Sequence, residues 1–176
     1  GNLGSVELLL DYGRASLPVP VTSTPMAVMG GVLYFVASDA SRGTELWRTD
    51  GTVLGTQLVK DINPTAGQGS SVSDFAAMGS YLYFSASNGN TANGRELWRT
   101  DGTTDGTTLV KDIDDGVEHS SPSYLTVIGE TLYFVASDGV HGQEVWMSDG
   151  SAAGTVLAAD LNTTAPNTGS DGAELI

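Results

Sequence analysis

The chain has no cysteine among its 176 residues. That excludes disulfides, iron–sulfur clusters, thiolate zinc sites and a cysteine nucleophile. Positive charge is scarce: seven Lys and Arg face 21 Asp and Glu, for a net charge of -14. Affinity for nucleic acid or for an anionic membrane surface rests on a basic patch, so neither partner is expected. Long apolar runs are missing too. The longest, around Leu33 to Ala37, has the length of a strand and falls far short of a bilayer-spanning helix, so no membrane insertion is expected. Gly1 to Val6 has neither a basic start nor the apolar stretch of a signal peptide, and no initiator Met precedes it. We therefore expect a mature or excised piece of something longer. Histidine is limited to His119 and His141, in non-equivalent positions, with no phosphate-cradling glycine loop, zinc spacing or paired-carboxylate signature nearby. The chain is not expected to be an enzyme.

What is present is repetition. Glu-Leu-Trp-Arg-Thr-Asp-Gly-Thr occurs at 45–52 and again, unchanged, at 96–103, and a third copy, Glu-Val-Trp-Met-Ser-Asp-Gly-Ser, stands at 144–151. The copies begin 51 and then 48 residues apart, and their flanks repeat in step, so residues 1–176 read as a single array of one unit. The units fall at approximately 7–56, 57–107 and 108–154, followed by a further copy of the last strand at 155–161 and a tail at 162–176.

Each unit carries four strand-like segments. The first ends at a glycine turn, as in Pro25 to Met29, Phe75 to Met78 and Tyr124 to Ile128. The second, Leu33 to Ala37, Leu82 to Ala86 and Leu132 to Ala136, is apolar on successive residues, the pattern of a strand sheltered on both faces. The third is the Glu-Leu-Trp segment. The fourth is Leu58 to Ile62, Leu109 to Ile113 and Val156 to Leu161. All are rich in β-branched and aromatic residues and bounded by Gly, Asn, Asp or Pro. No stretch sustains the period of about 3.6 residues that marks a helix. Gly30-Gly31, Gly79-Ser80 and Gly129-Glu130 read as tight hairpin turns, and Asp50-Gly51, Asp101-Gly102 and Asp149-Gly150 as turns between the third and fourth strands.

The fold class is therefore all-β, with tandem four-stranded antiparallel blades of β-propeller type. Three units cannot close a ring that needs roughly four to eight blades. Glu7 to Asp11 matches the fourth strand as well, which makes four copies of that strand against three of the others. The expected object is an incomplete ring, part of a larger array or oligomer. Its expected partners are other copies of itself or adjoining repeats of a longer parent chain.

The motif Glu-Leu-Trp-x-Thr-Asp-Gly-Thr-x-x-Gly-Thr, at Glu45 to Thr56 and Glu96 to Thr107, resembles the ELWxxDGT repeat family, whose repeats occur in large secreted or surface proteins, chiefly bacterial. The preceding Leu-Tyr-Phe-x-Ala-Ser and the following Val-Lys-Asp-Ile agree with it, and the resemblance runs from about Val6 to Asn162. The third unit departs, with Val145 for Leu, Met147-Ser148 for Arg-Thr and Ser151 for Thr, so its edge contacts are expected to differ. The resemblance implies a propeller-like array that is secreted or at the cell surface, and no established activity. The turn also looks like a relative of Asp-box hairpins, structural decorations of blade edges.

Asp50, Asp101 and Asp149 are expected to cap their own turns. Glu45, Glu96 and Glu144 share a strand face with Trp47, Trp98 and Trp146, and are expected to pair with backbone amides or with Arg48 and Arg99. The three Trp are expected between blades; exposed, they would instead stack on sugar rings, as in a carbohydrate-binding, lectin-like propeller. Asp39 and Asp138 open the loop after the second strand, and the densest acidic run holds Asp112, Asp114, Asp115 and Glu118. These four are the candidate ligands for Ca²⁺, although they lack the spacing of an EF-hand. The variable loops at 39–43, 88–94 and 138–142 are the expected recognition surface, for a glycan or another surface partner.

Overall fold

A computed structural model describes residues 19–20, 25–89, 94–115 and 119–161. The strand copy expected at 7–11, the tail at 162–176, residues 90–93 of the middle loop and Glu118 lie outside the described residues.

Three antiparallel four-stranded sheets follow one another along the chain, and no helix occurs among the described residues. The first blade is β2 (Met26–Met29), β3 (Val32–Asp39), β4 (Gly43–Thr49) and β5 (Gln57–Lys60); a short β1 (Val19–Pro20) pairs with the far end of β3. The second is β6 (Ser73–Met78), β7 (Tyr81–Ser87), β8 (Arg95–Thr100) and β9 (Thr108–Lys111). The third is β10 (Ser123–Ile128), β11 (Thr131–Ser137), β12 (Gln143–Ser148) and β13 (Val156–Ala159). Apart from β1, sequence neighbours pair, so each four-stranded blade is a meander with no crossover.

The turns explain the register. Gly79 and Gly129 open two-residue hairpins with φ of +59° and +63°, which cost glycine nothing and other residues a good deal. From there Phe35, Phe84 and Phe134 fall opposite Trp47, Trp98 and Trp146, and each Trp falls opposite Leu58, Leu109 or Leu157. A bulge just before each Trp resets the pairing of the outer strand.

Alternation then sorts side chains onto two unlike faces. Tyr34, Val36, Leu46 and Val59 of the first blade meet Leu82, Phe84, Ala86 and Trp98 of the second in one core. Tyr83, Leu97 and Val110 of the second meet Leu132, Phe134, Ala136 and Trp146 of the third in another. The stack is therefore directional: a Tyr-Leu-Val front receives a Phe-Ala-Trp back. Between sheets the strand backbones come closest at β2, β6 and β10, β7 and β11 taking part beside β6 and β10, which makes the first strands the inner edge of a wedge, as in a propeller that does not close.

The second strands show what a neighbour does. β3 and β7 are buried over successive residues, as expected for strands sandwiched between blades. β11 was expected to match them, yet its burial alternates. Its back packs on the second blade, while Tyr133 and Val135 on its front are only half-buried.

Candidate functional site

The repeated motif builds the junction between blades, and each polar residue in it has a defined task. Glu45 and Glu96 are fully buried and Glu144 nearly so. Glu45 accepts from the amides of Ile62 (3.1 Å) and Asn63 (3.4 Å) and from the Ser70 hydroxyl (2.6 Å). Glu96 accepts likewise from the amides of Ile113 (2.9 Å) and Ser120 (3.0 Å) and from Ser120 Oγ (2.5 Å). Of the two pairings expected for these acids, backbone amides are the one observed. The carboxylate thus staples the third strand to the linker that leads into the next blade; Ser70 and Ser120 pass the connection on by accepting from the amides of Ser87 and Ser137. In the third unit the Leu161 amide donates to Glu144 at 2.8 Å. Burial penalises the charged form more than these donors favour it, so Glu45 and Glu96 are both pushed up to about 7.

Each Asp of the motif caps its own turn. Asp50, Asp101 and Asp149 accept at Oδ1 from the amide and the hydroxyl of Thr52, Thr103 and Ser151, at 2.7–2.9 Å. The Thr52 and Thr103 donors hold the Asp50 and Asp101 carboxyls below the usual range. Asp-Gly opens the connection between the third and fourth strands: β4 ends at Thr49 and β5 begins at Gln57. Glycine at the fourth position after Gly51 is a steric demand, since a Cβ on Gly55, Gly106 or Gly154 would lie 1.9–2.1 Å from the Asp oxygen. Gly102 and Gly150 meet a second demand. A Cβ there would lie 2.4 and 2.1 Å from the Tyr34 and Tyr83 hydroxyls of the preceding blade.

Cations clasp the blades together, and this the sequence reading missed. Lys60 Nζ donates to the carbonyls of Thr104 (3.3 Å) and Thr107 (2.8 Å), Lys111 Nζ to Thr155 (2.8 Å) and Arg99 Nη1 to Gly150 (2.8 Å). Every acceptor lies in the Asp-Gly loop of the next blade. The signal was present in the sequence: Lys60 and Lys111 occupy one register position, Arg48 and Arg99 another, and the third unit replaces both, with Ala159 and Met147.

Trp47, Trp98 and Trp146 are 8, 8 and 6% exposed, so their ring faces are spent on packing. The ring nitrogens of Trp47 and Trp146 are buried without a hydrogen-bond partner. Asp112 and Asp114 are half-buried and Asp115 is exposed; Glu118 lies outside the described residues. Among the described residues no three Asp, Glu or His side chains converge where a metal ion could sit.

The loops after the second strands of the first and third blades are locked from within. Asp39 Oδ1 accepts from the Ser41 amide and hydroxyl and the Arg42 amide, all at 2.8 Å, while Arg42 Nη1 pairs with Oδ2. Burial pushes that carboxyl up, but the donors of Ser41 and Arg42 outweigh it and hold it at about 2. Asp138 repeats the device, accepting from the amides of Val140 and His141 and pairing with His141 Nδ1 at 2.7 Å.

A groove of about 510 Å³ opens where the second and third blades meet, lined by Met78, Tyr81, Tyr83, Arg99, Glu130 and Asp149 among others. The Arg99 guanidinium lies 4.6 Å from the centre of the Tyr81 ring.

Compared with known proteins, the chain matches no family model, no curated protein and no solved structure.

Proposed function

We propose that the chain is an extracellular structural and interaction module of ELWxxDGT-type blades. The observation that carries this reading is that the motif is spent on the scaffold: its Glu staples a linker, its Trp packs between blades, its Asp caps a turn and its Gly admits a neighbour. What varies between units is the loop after the second strand, presented on a rigid support and free to carry recognition. The net charge of -14 suits a soluble surface outside the cell. Two measurements test it. Replacing 139–141 with Gly and Ser leaves the melting temperature within a few degrees, whereas Glu96→Ala, which strands two buried amides, lowers stability by about 1–3 kcal/mol or more. Antibody labelling of intact producing cells places the protein outside; labelling only after lysis would sink the extracellular part of the reading.

A carbohydrate-binding propeller is the second reading, and one observation favours it. The groove beside Tyr81 combines an aromatic ring with Arg99, Glu130 and Asp149, the mixture of apolar face and hydrogen-bonding groups that sugars require. Retention on polysaccharide gels that disappears with Tyr81→Ala supports it. A Ca²⁺-dependent form further requires a melting temperature that rises with Ca²⁺ and falls with EDTA.

A further inference from the structure

The groove between the second and third blades has a counterpart in the junction before it. Met29, Tyr34, Arg48 and Asp101 of the first junction recur as Met78, Tyr83, Arg99 and Asp149 of the second, so the frame is common to both. The rim differs. Tyr81 stands where the first blade has Val32, each paired with the Met that ends the strand before it. Glu130, in the turn that the third blade brings to the groove, stands where the second blade brings Ser80. The first junction packs without a tyrosine or an acid at these places, so the scaffold does not require them.

At about 510 Å³ the groove falls within the roughly 300–1,000 Å³ usual for small-ligand sites. The second blade supplies an aromatic wall, Tyr81, half-buried and with the Arg99 guanidinium 4.6 Å from its ring centre. That cation is already engaged, its Nη1 donating to the Gly150 carbonyl at 2.8 Å. The third blade supplies Glu130 and Asp149, both exposed. Among the described residues no Lys, Arg or His nitrogen pairs with either carboxylate. Two carboxylates against one engaged guanidinium leave the groove negative, in a chain whose net charge is -14. A uronate or a sulfated sugar would meet like charge at close range. A ligand carrying an ammonium group would instead gain charge-assisted hydrogen bonds and be drawn in by the field of the whole chain.

We propose that this groove binds a hexosamine unit with a free ammonium group, the amine held by Glu130 and Asp149 and the sugar ring lying along Tyr81. The proposal rests on the carbohydrate reading above and narrows it to cationic sugars. Arg99 is a positioning residue in it, fixing the Tyr81 ring from one side.

The test is calorimetric titration of the full chain, in mildly acidic buffer where the amines carry a proton. The probes are a glucosamine tetramer, its N-acetylated counterpart, a glucose tetramer and tetralysine. The glucosamine tetramer is expected to bind at least tenfold more tightly than the other three. Tyr81→Val and Glu130→Ser, which install the residues of the first junction, are each expected to weaken it at least tenfold while the melting temperature stays within a few degrees. Equal affinity for the three sugars, lost in Tyr81→Val, overturns the amino-sugar assignment and leaves the carbohydrate reading standing. Binding of no sugar takes both down. Tyr81→Val does not alter the net charge, so glucosamine binding that survives it unchanged is adsorption onto an acidic surface and overturns the site. Tetralysine bound as tightly as the glucosamine tetramer overturns the sugar in favour of a basic peptide.

Discussion

Lys60 and Thr107 meet across the first junction, Nζ to carbonyl oxygen at 2.8 Å, although 47 residues separate them in the chain. The same Nζ reaches Thr104, and Lys111 repeats the contact with Thr155 in the next junction. These clasps hold the outer part of each wedge, where the strands of neighbouring blades have drawn apart. Lys60→Met and Lys111→Met keep the apolar stem and remove the donor. Each is expected to lower stability by about 1 kcal/mol, discounted for partial exposure. Urea denaturation measures it, and unchanged midpoints would show the clasps to be idle.

The stapling glutamates make stability depend on pH in an unusual direction. Glu45 and Glu96 are raised from 4.5 to about 7 by burial, so the folded chain holds their protons more tightly than the unfolded one. Their contribution is fully present below about pH 4.5 and is lost as pH rises through about 7. Between pH 5 and 8 the unfolding free energy is expected to fall by on the order of 1 kcal/mol or more per site, read as a lower urea midpoint. A midpoint that stays level or climbs across that window contradicts the assignment.

Gly106 and Asp101 form a steric pair that a double-mutant cycle can isolate. A Cβ at Gly106 would lie 2.1 Å from Asp101 Oδ1, so Gly106→Ala is expected to cost about 1–3 kcal/mol. Asp101→Ala alone removes the turn's cap and costs about 1 kcal/mol. Together they should cost less than their sum, because the clash is gone; strict additivity would place the strain elsewhere.

His141 pairs with Asp138 Oδ2 at 2.7 Å, and that bond and the charge of Asp138 raise its pKa above 6.5. The contact is fully present below that value and is lost as pH rises through the raised one. Proton NMR should show the imidazole of His141 titrating above 6.5, and Asp138→Asn should bring it back down. No change in Asp138→Asn would show the pair not to be formed in solution.

Much of this architecture could be read one residue at a time. Leu-Tyr-Phe runs, glycine turns and Asp-Gly pairs announce strands and their ends because the signals are local, and their recurrence gives the blade. The capping role of Asp101 is local as well, its donor being Thr103. Other features have no local signature. The Asp-Gly pairs mark a turn between the third and fourth strands, but not the shape of its loop, which Gly106 sets by folding back on the Asp101 carboxylate. The second strand of the third unit reads like its two predecessors, yet Tyr133 and Val135 on it stay half-buried, since burial depends on what stands opposite and not on the strand itself.

By itself, the sequence determined the repeat, its four strands, the acidic surface and the exclusion of thiol chemistry, all consequences of residue type and spacing. Only the tertiary structure decided that the stack has a direction. Side chains alternate along a strand whatever surrounds it, but which face meets which is settled when Phe84 and Trp98 enter the surface made by Tyr34 and Leu46. The same packing carries Lys60 to the loop of the next blade and leaves Ile128 exposed. Contacts between residues some 50 positions apart depend on how blades are set against each other, and no single unit contains that information.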